Sequence, residues 1–295
     1  MLLRLIAVFV LVALLTWAAI TPGNTSIVVV AAIGLALVLV PMVMRAVLVW
    51  SLRPQITSME KVVRDSLVYW SRPNVEPIAS LPSTSDERFE TVGEELKQAG
   101  FVHGGTLRVT RMIDIQKPCE YVFDVFKHGE ESVVAIVYGQ DGLERDQRKP
   151  PTISLVSRTK ADRFVVTDLA AGKDPKPTAP QFDRTQVAHT AGLNGAMSLH
   201  RFRCRRVLKD VLPLADWFGG AKQIFFEIWD IEIANLRAVG WLGDANPEGS
   251  MKLTELGSRR LAKGIVLTGF PAFQKRFQAQ GAALRARLDR VDGRA

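Results

Sequence analysis

Cysteine is nearly missing from this 295-residue chain: Cys119 and Cys204 stand far apart, in no CxxC or Cys/His spacing. That excludes a disulfide framework and a structural zinc site, and suits a reducing compartment. Histidine is scarce as well. His103, His128, His189 and His200 form no HExxH or HxH pattern, so a helix-borne catalytic zinc has no support. There is no GxSxG or SxxK, and Gly104-Gly105 and Gly219-Gly220 are bare doublets outside any GxGxxG or GxxxxGK[ST] frame. Glu227, Asp230 and Glu232 put carboxylates on one expected helix without the ExxH partners of a di-iron bundle. They read as a solvated or Arg-paired face. No residue is assigned a catalytic role, and no cofactor or metal is expected.

Charge is missing from two predominantly apolar stretches, residues 5–20 and 27–44. A run of about 18 to 20 such residues reaches roughly 30 Å, the depth of a bilayer core. With the polar turn 21–26 between them, the runs predict an antiparallel transmembrane hairpin, residues 1–53. Arg4, Arg45 and Arg53 flank the runs and the turn carries no Lys or Arg. Both termini are therefore expected on the cytoplasmic side of a bacterial inner membrane. The alternative for the first run is a signal peptide, with the second run as a stop-transfer anchor.

Residues 54–84 read as a juxtamembrane amphipathic segment (Ile56, Met59, Val62, Val63, Leu67) followed by a Pro/Ser linker. An α+β module is expected over 85–189. It opens with a helix from the Ser85 cap to Gly100, then strands at 106–113, 120–127, 132–138, 152–158 and 163–168. Short links between successive strands predict an antiparallel β-meander. Residues 170–181 read as a Pro-rich loop, and 190–295 as a basic region of three to four helices packed on the sheet. A helix leading into a meander resembles, at the level of element order alone, cystatin-like and NTF2-like modules and, loosely, helix-grip lipid-binding folds. That likeness implies no function.

Of the net charge of +8, residues 201–295 carry 17 basic against 10 acidic side chains, or +7. Arg201, Arg203, Arg205, Arg206, Arg259, Arg260, Lys263, Lys275, Arg276, Arg285, Arg287 and Arg290 are the candidate contacts to phosphate, lipid headgroups or a partner. The favoured expectation is a membrane-anchored interaction or scaffold module. It would be an accessory subunit whose partners are the bilayer, anionic headgroups and other membrane-protein subunits, rather than nucleic acid. The second reading is a carrier or sensor of an apolar or lipid ligand, held in a sheet–helix pocket lined by Tyr121, Phe123, Ile136 and Phe164. The third is a membrane-tethered enzyme in which His189 or His200 would converge with Glu227 or Asp230.

Overall fold

A computed structural model describes residues 47, 50–79, 87–115, 117–140, 150–207 and 211–291. The chain divides into two units, 1–57 and 58–295, and the fold below is that of the second. Helix α1 (Arg53–Ser66) leads into β1 (Leu67–Trp70) and β2 (Asn74–Ile78). Helix α2 (Glu87–Gln98) is followed by β3 (Phe101–Thr110), β4 (Ile113–Ile115), β5 (Glu120–His128), β6 (Val134–Gln140), β7 (Thr152–Arg158), β8 (Phe164–Ala170) and β9 (Phe182–Ala188). Then come α3 (Gly192–Val207), α4 (Ala221–Ala238), β10 (Ser250–Lys252), α5 (Glu255–Gly269) and α6 (Pro271–Val291).

Seven strands form one sheet in the order β2-β3-β5-β6-β7-β8-β9. All neighbours are antiparallel except β8 and β9, which run parallel. β8 is buried along its whole length, and β7 at every position but its ends. Both faces of these strands are covered, so the polar Ser154, Ser157, Thr167 and Asp168 are buried along with the apolar side chains. On one face, Phe126, Ala135, Val137, Ile153, Leu155 and Leu169 pack against Leu96 of α2 and Leu193, Ala196 and Met197 of α3. Leu284 of α6 joins the same cluster. The opposite face carries Phe123, Val125, Ile136, Val156 and Val166 toward α4.

A second sheet, β10-β1-β4, is antiparallel throughout. Trp70 Nε1 donates to Asp114 Oδ2 at 2.7 Å across it. Trp229 Nε1 of α4 donates to the Trp70 carbonyl at 3.1 Å, tying the small sheet to the helix.

Three expectations are corrected. Among the described residues no helix is long and apolar enough to cross a membrane. The transmembrane hairpin and the integral inner-membrane placement are therefore withdrawn; the apolar runs 5–20 and 27–44 themselves lie outside the described residues. The segment expected as an amphipathic helix and linker does hold helix α1 over 53–66, but the part expected as linker places β1 and β2 in the two sheets. The sheet is mixed, not a meander, because residues 171–181 carry the chain back so that β9 adds parallel to β8.

Two glycines separate packing from helix propensity. Gly93 in α2 has room, since an added Cβ would meet only the Phe126 ring at 3.6 Å. Gly257 in α5 has none, since the same atom would lie 2.2 Å from the Trp241 carbonyl oxygen. Gly93→Ala is expected to raise stability by about 0.5 to 1 kcal/mol. Gly257→Ala is expected to lower it despite the same propensity gain, and urea-unfolding midpoints of the two variants check the opposite signs.

Candidate functional site

The register of the sheet lines up chemistry on the α4 face. Val125, Ile136, Ser154 and Asp168 are successive cross-strand partners from β5 to β8. Arg184 of β9 pairs with Val166 and so lies diagonally beside Asp168. Above them, Ile224, Phe225, Ile228, Trp229 and Glu232 recur at helical spacing along α4 and face the sheet. Sheet and helix do not close on one another completely. A cavity of about 100 Å³ remains between Phe123, Ile136, Tyr138 and Val156 below and Ile224, Phe225 and Trp229 above.

The polar groups gather at one end. Arg184 Nε donates to Asp168 Oδ2 at 2.6 Å, and its Nη1 donates to Glu232 Oε1 at 2.8 Å. Ser154 Oγ donates to the other Asp168 oxygen at 2.5 Å. The crossover loop brings Lys176, whose Nζ lies 3.3 Å from Asp174 Oδ2 and 4.0 Å from Glu232 Oε2. Burial works against the charged Arg184, yet Asp168 and Glu232 outweigh it and hold the guanidinium protonated. Asp174 beside it, against a burial penalty, holds the Lys176 ammonium in its charged form, and Lys176 in turn keeps the Asp174 carboxyl below its usual range. Burial, followed by the Asp168 charge, pushes the Tyr138 phenol up to about 12, so it stays neutral. Lys176, Arg184 and Glu232 also wall a polar recess of about 310 Å³ lined further by Lys173, Thr178, Thr185 and Gln186.

Of the expected pocket residues, Phe123 and Ile136 line the cavity, whereas Tyr121 and Phe164 do not. Tyr121 directs its hydroxyl to the Ile113 carbonyl at 3.0 Å. Phe164 is sealed among Phe182 and Trp217 with the Arg158 guanidinium over its ring. The basic set also separates. Arg203 is buried, donating to the carbonyls of Val166 and Asp183 and pairing with the Asp183 carboxylate at 2.7 Å. It is an internal brace rather than a surface contact. Arg201 binds Glu131, and Arg259 meets Glu255 and Glu60. Arg205, Arg260, Lys263, Lys275, Arg276, Arg285, Arg287 and Arg290 are exposed, and the side chain of Arg206 lies outside the described residues. Glu227 pairs with Arg158 at 2.7 Å and Asp230 is exposed, while His200 bonds Ser157 and Thr167 and the buried His189 Nε2 has no hydrogen-bond partner among the described residues, so the expected histidine–carboxylate pairs are not brought together.

Asp168, Asp174, Lys176 and Arg184 were not singled out in the sequence. Their one signal was the dense charge of 173–176, within the segment read as loop, and of 183–184 just after it. His103 is held by Asp124 at 2.6 Å, and that carboxylate also accepts from Thr106. Alternation along β5 puts this pair on the face opposite Phe123.

His200 is fully buried beneath the other side of the sheet, and its hydrogen bonds have a single consistent direction. Arg203 donates to Thr167 Oγ1 at 3.1 Å, and Thr167 donates to His200 Nδ1 at 3.1 Å. His200 Nε2 donates to Ser157 Oγ at 3.0 Å, and Ser157 donates to the Ser132 carbonyl at 2.7 Å. Because Ser157 gives its proton to a carbonyl, His200 is not its base. Among the described residues no group of His, Cys, Asp and Glu could hold a metal ion. No protein family, curated protein or solved structure matches the chain.

Burial, reinforced by the positive charges of Arg203 and Arg201, pushes the His200 imidazole down from 6.5 to about 3. The unfolded chain takes up this proton first as the pH falls. Stability is thus expected to decline with acidification from pH 6.5 toward about 3, by at most about 1.4 kcal/mol per unit from this group. His200→Gln should be less stable at neutral pH but show a shallower acid slope, as read from urea midpoints across that range.

Proposed function

We propose that the protein is a small-molecule binding module, a carrier or sensor that holds a compact apolar ligand between the β5–β8 face and α4. The observation that carries this reading is the cavity itself. Protein interiors are packed to crystal density, and the other face of this same sheet is filled by α2, α3 and α6. Open space lined by apolar and aromatic side chains, with a few polar groups at one end, has the make-up of a ligand site.

Its size limits the occupant. About 100 Å³ is smaller than the roughly 150 Å³ apolar cavity that accepts benzene. A short alkyl chain fits, and a drug-sized molecule does not. The polar recess beyond Lys176, Arg184 and Glu232 offers room for a head group. Of the basic residues behind the rival scaffold reading, Arg203 is a buried brace and Arg201 and Arg259 pair with glutamates, while eight others are exposed.

Trp229 lines the cavity and reports on it. Titrating the full chain with 1-hexanol is expected to change Trp229 fluorescence saturably, and Val156→Phe, which fills the cavity from below, should weaken binding by about tenfold or more while leaving the thermal transition intact. Equal binding by the filled variant, or no saturable change in the parent protein, would reject the site.

A further inference from the structure

We propose that the recess between the first turns of α6 and the crossover loop is a second small-molecule site, separate from the cavity under α4. Its ligand class is an organic phosphate monoester with a flat apolar body.

Helical spacing builds the recess. Phe273, Arg276, Phe277 and Gln280 recur at i, i+3, i+4 and i+7 along α6 and so share one face. With Lys173 of the crossover loop and Thr268 near the end of α5, they surround an open space of about 260 Å³. Two amide hydrogen bonds set its width. Gln274 Nε2 donates to the Thr268 carbonyl at 2.7 Å, and Gln278 Nε2 donates to the Ala171 carbonyl at 3.1 Å. Gly172 leaves room for the first of these, since an added Cβ would lie 3.2 Å from Gln274 Nε2.

The charge of the recess has one sign. Its lining holds two cations, Lys173 and Arg276, and no carboxylate. Neither cation makes an ion pair among the described residues, and both are exposed at the surface of the recess. Lys173 Nζ lies 6.0 Å from the Phe277 ring centroid, over its face. The neighbouring acid, Asp174, is engaged by Lys176 through its Nζ at 3.3 Å and its backbone N–H at 2.9 Å. Asp168 and Glu232 belong to Arg184. In the recess beyond Lys176, by contrast, cations already meet carboxylates. Here two positive groups line one space without a counter-charge, and an anion between them relieves their repulsion.

A phosphate monoester carries about −1.5 to −2 charge at neutral pH, which matches two cations. The Arg276 guanidinium suits its oxygens because a planar fork can donate to two of them at once. The apolar body has its own wall: Phe273 stands on the same helical face as Arg276 and is 50 % exposed. A flat ring laid on Phe273 would leave water while its phosphate meets Lys173 and Arg276.

The test titrates the full chain calorimetrically at low salt with phenyl phosphate, inorganic phosphate and benzyl alcohol. Phenyl phosphate is expected to bind about tenfold tighter than inorganic phosphate, and benzyl alcohol weakest. Arg276→Gln and Lys173→Gln should each weaken phenyl phosphate about tenfold, and Phe273→Ala should weaken phenyl phosphate but not inorganic phosphate. Arg290→Gln removes a basic group about 21 Å further along the same helix and should change neither. Inorganic phosphate binding as tightly as the ester, or Arg290→Gln costing as much as Arg276→Gln, would overturn the proposal, the first by removing the apolar wall and the second by showing diffuse attraction to a basic helix. No saturable binding of phenyl phosphate would overturn it outright. All substituted side chains are exposed, and 1-hexanol binding under α4 should be the same in every variant, so the two sites stand or fall separately.

Discussion

Arg184 is the residue on which the arrangement turns. Its guanidinium joins three parts of the chain that the backbone alone would not hold together: β8 through Asp168, α4 through Glu232, and, by way of Glu232, the crossover loop through Lys176. A buried ion pair adds little net stability compared with a well-packed apolar core, but removing one partner leaves a stranded charge and costs about 3 to 5 kcal/mol. The pair thus acts by exclusion. An arrangement that slides β9 along β8, or lifts α4 off the sheet, leaves Arg184, Asp168 or Glu232 buried without its counter-charge. The parallel register of an otherwise antiparallel sheet is specified in this way.

The same constraint accounts for the different character of the two faces. Where α2 and α3 pack, small and branched side chains (Ala135, Ala196, Val137, Leu155) interdigitate and the core is dense. Opposite them, α4 is held by fixed polar points: Glu232 on Arg184, Glu227 on Arg158, and Trp229 on the Trp70 carbonyl. Those anchors keep the helix at a set distance, and the rings beneath it do not fill the gap. A helix held by hydrogen bonds rather than by interdigitation alone can leave space under itself without losing its place.

The strands β5 and β7 and the helices α3 and α6 were visible in the sequence because their apolar residues recur at the spacings of elements with a buried side. β9 was not visible. Its interior, Asp183-Arg184-Thr185-Gln186, is polar because those side chains serve ion pairs on both faces of the sheet, and no hydrophobic periodicity reports such a strand. β1 and β2 were obscured by the prolines around them, although a proline is tolerated on an edge strand such as β2. Of the site, Phe123 was legible from the alternation along β5, and Ile136 from its place in a strand apolar on both faces. Tyr121 shares that alternation but directs its hydroxyl to the Ile113 carbonyl, and Phe164 is capped by Trp217, whose position depends on a turn far along the chain. The charged cluster was illegible because its members come from β8, β9, the crossover and α4, and only the tertiary fold brings them together.

The order of strands in the large sheet follows their order in the sequence, β4 being the one strand between β2 and β9 that joins the small sheet instead. Each hairpin, and even the parallel pair, can thus form by adding the next segment of chain to the last, at a small entropic cost for closing each short loop. Helix α4 has no such neighbour: its docking on Trp70 spans 159 positions. Assembly of this protein accordingly has a natural sequence, in which the sheet with α2 and α3 can form early and the roof over the hollow closes late. The hollow is therefore bounded on one side by contacts between segments distant in the chain, so local strand pairing alone does not secure its roof.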